Sequence, residues 1–190
     1  MDKRYVSLSV VRGKGMNDET VPLEVAVLIL DEKMTPIDDY STPVVPSQQY
    51  DSSMIAMHTP AHLVTALDNE GLWSVMGVSA IPAEAADRYV ADKIERHCNP
   101  ETSQVVVLCD LLGPTRDATF RFLPITAKKL ERRNASWLEI EPLKGFVEGE
   151  RIYGETQWKH RAKARARSVA NYALQMRRTM RAGADAIGTR

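Results

Sequence analysis

Hydrophobic and polar positions change period along this chain, and the change marks its elements. Tyr5 to Val11 (YVSLSVV) is β-branched and alternating, which predicts a strand with Ser7 and Ser9 on one face. Gly13 to Thr20 is polar and reads as a loop. Val21 to Asp31 (VPLEVAVLILD) is almost continuously apolar, the pattern of a strand buried on both faces. Met34 to Val45 predicts a third strand, antiparallel to the second across the turn at Asp31-Glu32-Lys33. A helical half follows. Pro60 to Leu67 opens with Thr59 as N-cap and Pro60 at the first helical position. Pro82 to Cys98 is an amphipathic helix with Ala86, Tyr89, Val90, Ile94 and Cys98 spaced for one face, and Asn99-Pro100 stops it. Ser103 to Cys109 is a short apolar strand, Asp110 to Thr115 a loop, Arg116 to Arg132 helical, and Ala135 to Ile140 a fifth strand. Residues 141–155 read as a Pro- and Gly-containing linker. Trp158 to Arg181 reads as a long closing helix, and Ala182 to Arg190 as a flexible tail that frays. This order predicts an α/β domain spanning residues 1–181, a five-stranded mixed sheet flanked by helices in three layers.

The closing segment changes the picture. The chain as a whole carries 25 basic and 25 acidic residues, but Thr156 to Arg190 holds nine Lys or Arg against the single acid Asp185. Residues 1–155 therefore hold 16 bases and 24 acids, a net of −8. Along the closing helix, Trp158, Ala162, Ala166, Val169, Ala173, Met176 and Met180 form one stripe, and its alanines permit close approach to the sheet. Lys163, Arg167, Arg178 and Arg181 fall together on another side, with Arg177 at the edge. Such a ridge either faces solvent or contacts a phosphate backbone or an acidic partner. The helix has no interleaved Glu to form i,i+4 pairs, which favours the contact. Arg165 lies off the ridge, beside the buried stripe.

Other constellations carry little chemistry. His58 and His62 are four residues apart, but no third ligand is spaced to join them, and Thr59-Pro60 places His58 ahead of the helix. Cys98 and Cys109 match no zinc or redox spacing and read as reduced thiols of a cytoplasmic protein. Gly13-Lys14-Gly15 is too short for a phosphate loop, there is no nucleophile elbow, and few aromatic residues are available as a stacking platform. No apolar run reaches the roughly 18 residues that a membrane-spanning helix needs.

Several stretches, in order, carry a resemblance. They are Leu23 to Val27 with Asp31; Pro43-Val44-Val45 followed by Met57-His58-Thr59 and Leu63; Ser79 with Ala83-Glu84-Ala85; Asp117 with Phe120 to Pro124; Arg133-Asn134 with Leu138 to Lys144; and His160-Arg161-Ala162 with Ala166. Together they resemble the DEDDh 3′–5′ exonucleases of the ribonuclease H-like fold, and among them the oligoribonucleases. The resemblance spans roughly residues 5–180 and implies that fold and a homodimer. It also implies two-metal phosphodiester hydrolysis, in which four carboxylates hold Mg²⁺ or Mn²⁺ ions ~3.5–4 Å apart and a His acts as general base.

This chain departs from that pattern. The first strand should carry an Asp and a Glu two residues apart; Tyr5 to Val11 has Ser7 and Ser9 instead. The closing His motif should end in an Asp, and Arg165 stands there. A guanidinium at a ligand position removes an oxygen donor and adds like-charge repulsion, several kcal/mol at an effective dielectric of ~20 and ~4 Å. The expected remnant of the cleft is Ser7, Ser9, Asp117, His160 and Arg165, with no metal or other cofactor. Arg165 either pairs with Asp117 or projects to solvent. The reading that follows is an inactive exonuclease-like protein that binds a protein partner or single-stranded nucleic acid through Lys163, Arg167, Arg177, Arg178 and Arg181. The net −8 of residues 1–155 tilts this toward a protein. Two alternatives stand beside it. One is an active Mg²⁺- or Mn²⁺-dependent exonuclease with ligands relocated among Asp18, Glu19, Glu24, Asp110 and Asp117. The other is an interaction protein with no nucleic-acid role.

Overall fold

The computed structural model describes residues 2–45, 52–109, 112–140 and 161–188, with residues 52 and 183–188 as backbone only. Strands β1 (Asp2–Lys14), β2 (Thr20–Leu30) and β3 (Pro36–Val45) form an antiparallel meander. Helices α1 (Ser52–His58), α2 (Ala61–Asn69) and α3 (Leu72–Ser79) lead to the two-residue strand β4 (Ile81–Pro82), which pairs with β3. Then come α4 (Ala83–His97), β5 (Ser103–Cys109), α5 (Leu112–Phe122), α6 (Pro124–Arg132), β6 (Ser136–Glu139) and the closing helix α7 (Ala162–Gly188). The sheet order is β4-β3-β2-β1-β5-β6, with β5 parallel to both β1 and β6.

The expected mixed α/β architecture is present, with six strands rather than five; the sixth is the β4 fragment on the outer edge of β3. Other differences have local causes. Helices α1 and α3 carried no clear helical period; α3 (LWSVMGVS) is apolar nearly all round. Arg116 to Arg132 is two helices, because Leu123 leaves helical geometry (φ −130, ψ 58) ahead of Pro124. The first of them starts at Leu112, inside the expected loop. The closing helix continues to Gly188, so residues 182–188 are helical backbone where a frayed tail was expected. The linker at 141–155 and Trp158 lie outside the described residues.

The strands sort their side chains as alternation requires. Tyr5, Ser7, Ser9 and Val11 share one face of β1. That face packs, with Ala26, Leu28 and Leu30 of β2, under α7 and α1–α3. Val6, Leu8 and Val10 face the other layer, where Val90 and Ile94 of α4, Leu123 and Leu130 complete a second core. β2 is buried on both faces, as its continuous apolar run requires. Against β1 its register breaks once: Val11 pairs with Glu24 and Arg12 with Pro22, so Leu23 has no partner on β1. This bulge lets the adjacent Leu23 and Glu24 both serve the α7 side.

On α4 the buried stripe is Ala86, Asp87, Val90, Ala91 and Ile94. Tyr89 is 56% exposed and meets Tyr40 ring to ring at 5.6 Å, rather than joining the core face as its spacing suggested. On α7 the expected stripe holds for Ala162, Ala166, Val169 and Ala173, joined by Ala170. It ends before Met180, which is 68% exposed.

Candidate functional site

The face between β1 and α7 is where the resemblance locates a cleft. The small residues of α7 let the helix lie directly on the strand, and the Ser7 hydroxyl donates to the Ala166 carbonyl at 2.8 Å across that contact. Ser7 is fully buried and Ser9 nearly so. The space beneath the helix is thus filled by a hydroxyl bonded to backbone.

At the helix start stands a group whose role the sequence did not disclose. Glu24, 2% exposed, projects from β2 to the N-terminus of α7. Its Oε2 accepts the backbone N–H of Ala162 at 2.6 Å. Arg161 grips the same carboxylate through Nη2 at 2.7 Å and Nε at 3.0 and 3.1 Å, and donates Nη1 to the Glu70 carbonyl at 2.9 Å. One buried carboxylate therefore caps a helix, meets its dipole and neutralises an arginine. The available signal was a lone Glu inside a continuously apolar strand, a residue type that is rarely buried without a partner.

The remaining candidates are scattered. Arg165 is exposed and makes its backbone bond to the Arg161 carbonyl at 3.0 Å. Asp117 is also exposed, on α5, a helix whose apolar residues Ala118 and Phe122 belong to the opposite layer. Among the described residues no ion pair joins the two. His160 and Asp110 lie outside the described residues. Asp18 and Glu19 are occupied by the β1–β2 turn: Asp18 pairs with Lys14 at 3.1 Å, and Glu19 Oε2 accepts the Asn17 N–H at 2.7 Å. Among the described residues no three His, Cys, Asp or Glu side chains converge as metal ligands. His58 ends α1 and His62 lies in α2, so the pair does not share a helix.

Gly13-Lys14-Gly15 ends β1 and enters the turn. The Lys14 N–H donates to the buried Thr59 Oγ1 at 3.0 Å, which ties α1 to the strand. A Cβ at Gly13 would lie 2.6 Å from that hydroxyl oxygen and 2.9 Å from Leu23 Cδ1, so close approach requires glycine there. Thr59, expected to cap α2, is used in this contact instead. Cys98 is no reactive thiol: burial pushes its pKa up to about 11, against a weaker downward pull from Arg133 and Arg4.

The basic ridge divides into parts. Lys163 and Arg167 both reach Asp39 on β3, at 2.8 and 3.1 Å. The Lys163 hydrogen bond holds the Asp39 carboxyl below its ordinary range, with burial opposing and Arg167 assisting. Arg177 donates to the Glu32 carbonyl in the β2–β3 turn. Arg178 and Arg181 are exposed. The helix places no acid one turn from Lys163 or Arg167, and Asp39 of the neighbouring strand supplies it.

This fold has solved counterparts. The chain resembles a full-length 3′-exonuclease with a TM-score of 0.55 at 11% identity, over 93% of this chain and 82% of that one. It resembles an exonuclease I structure described as suggesting how processivity is achieved, with a TM-score of 0.52 at 10% identity, over 90% of this chain. The exonuclease I of Methylocaldum szegediense gives a TM-score of 0.51 at 12% identity, over 92% of this chain. The fold is exonuclease-like. It is the ribonuclease H-like arrangement, and the chain spans 40% of the length of those exonuclease I structures. No family model and no curated protein matches the sequence. Among the described residues no helix is long and apolar enough to cross a membrane.

Proposed function

We propose that this chain uses an exonuclease-like fold to bind single-stranded nucleic acid without hydrolysing it. The observation that carries the reading is the β1–α7 contact. The strand face turned to the closing helix presents Ser7 and Ser9 in place of carboxylates, and the Ser7 hydroxyl is bonded to the Ala166 carbonyl. The buried carboxylate nearest the start of that helix, Glu24, is bound to Arg161 and Ala162. The partner class is supported by one structural relative, an E. coli exonuclease I–single-stranded DNA complex in its zinc-bound form. It matches with a TM-score of 0.50 at 10% identity, over 93% of this chain and 40% of that chain. Arg178 and Arg181 are the exposed cations suited to phosphate contact.

A second reading, a protein partner, is favoured by the net −8 of residues 1–155, which repels a polyanion. It is also favoured by the internal pairing of Lys163 and Arg167. In either case self-association as a homodimer is measurable by light scattering.

Two measurements on the purified chain decide among these readings. Incubation with short RNA and DNA in Mn²⁺ is expected to give no turnover. Robust cleavage that is lost on Asp117→Ala establishes the active exonuclease instead. Oligonucleotide binding across a salt series is expected to weaken steeply with salt, with a slope that shrinks by about 1 on Arg178→Ala. Absence of binding at low salt rejects the nucleic acid and leaves the protein partner.

A further inference from the structure

Two helical turns along α7 from Ala166, the helix and the sheet part to leave a groove of about 340 Å³. Its floor is Tyr5, Leu108 and Leu138, on three adjacent strands, together with Met34. Arg177 and Arg181 stand over it. Ala173, Met176, Arg177, Met180 and Arg181 recur at the spacing of a single helix face, so both guanidiniums are carried on the wall that lines the groove. Its lining contains two cations and no carboxylate.

We propose that this groove binds a small amphipathic anion: an apolar body on the floor and one carboxylate- or sulfonate-type head between Arg177 and Arg181. The volume lies at the lower end of the ~300–1,000 Å³ usual for small-molecule sites. Thioether side chains adapt to apolar bodies of varied outline. A nucleobase suits the floor poorly, because the Tyr5 hydroxyl is the one polar side-chain group there and the rest of a base's polar edge would be buried against Leu and Met. Arg177 also donates to the Glu32 carbonyl, which fixes its guanidinium at the groove mouth, while Arg181 is exposed and pairs with no carboxylate among the described residues. The groove shares Arg181 with the surface proposed above for phosphate contact, but Arg178, Ser7, Lys163 and Arg167 do not line it, so Arg178→Ala tests the oligonucleotide and Met176→Trp the groove.

The test is a fluorescence titration of the full chain with anilinonaphthalene sulfonate, alongside the uncharged N-phenylnaphthylamine. The sulfonate is expected to bind at one saturable site, about tenfold more tightly than the neutral probe, as one charge-assisted hydrogen bond allows. Arg181→Ala is expected to remove that difference, and Met176→Trp to fill the groove and abolish binding of both probes. An unchanged thermal transition shows that each variant is folded. Four results overturn the proposal: no saturable binding, as when the chain's own residues fill the groove; equal affinity for the two probes; binding that survives Met176→Trp; or displacement by adenosine monophosphate at lower concentrations than by octanoate.

Discussion

The two faces of the sheet are held in different ways, and β3 shows how. Asp38 and Asp39 are neighbours and so point to opposite faces. Asp38 binds Lys93 and His97 of α4, at 2.7 and 2.8 Å. Asp39 binds Lys163 and Arg167 of α7, at 2.8 and 3.1 Å. Beneath this symmetry the layers differ. The α4–α6 face is filled by large apolar side chains, among them Ile94, Leu123 and Leu130. The α7 helix contributes mainly alanines, which bury little area each. Its attachment depends correspondingly more on polar contacts: Glu24 with Arg161 and Ala162, Ser7 with Ala166, and Asp39 with the ridge.

Each face also contains a buried carboxylate that caps a helix distant in sequence. Asp87 on α4 accepts the N–H groups of Ile125 and Thr126 at 2.7 and 2.9 Å, at the start of α6. Glu24 does the same for α7, and binds a guanidinium as well. The comparison teaches that a capping carboxylate inside an apolar layer can be satisfied by backbone N–H groups, whereas the carboxylate under α7 also fixes an arginine beside the expected cleft.

Substitutions can break this contrast, and the largest effect belongs to Glu24. Glu24→Ala leaves Arg161 without its buried partner and uncaps α7, and is expected to cost about 3–5 kcal/mol in urea unfolding. A loss under about 1 kcal/mol, the size of a surface pair, shows that the pair does not hold the helix. Asp87→Ala comes next, at about 1–3 kcal/mol, because it orphans buried N–H groups but no charge. Equal losses at the two sites would erase the distinction drawn between them.

The smallest effects sharpen the comparison through pH and salt. Burial raises the Asp38 carboxyl, but the hydrogen bonds and charges of Lys93 and His97 outweigh it, so its pKa is lowered; that of Asp39 is lowered chiefly by Lys163. A lowered folded-state pKa contributes stability that is complete above the ordinary value of 3.8 and disappears as pH falls through the lowered one. Asp38→Asn and Asp39→Asn are each expected to cost up to about 1 kcal/mol at pH 7. Both deficits should close as unfolding is measured at pH values below the ordinary carboxylate range. The Asp39→Asn deficit should also shrink in ~1 M salt more than that of Asp38→Asn, since the Asp39 carboxylate is the more exposed.

Much of the fold was legible because it is written in period. β2 announced its double burial through unbroken apolar residues, the α7 stripe announced its packed face through alanine spacing, and Ser103–Cys109 announced β5. Where period was absent, as in the apolar α3, the helix was not visible. Of the candidate site, Ser7 and Ser9 could be placed on one face from alternation alone. The basic ridge could be drawn on one helix, yet its partners could not, because Asp39 lies more than a hundred residues away in the chain.

The sequence by itself determined that the first strand carries hydroxyls where the resembling family carries carboxylates, that an arginine stands at position 165, and that positive charge gathers at the end of the chain. These are matters of identity and local spacing. Only the tertiary structure decided what the charges do. It turned Arg165 outward, bound Lys163 and Arg167 to a strand, buried Glu24 under the helix it caps, and set Arg177 and Arg181 over an apolar groove. The physical reason is that the energy of a charge depends on its desolvation and on its nearest partner, and both are set by distances between residues far apart in the chain.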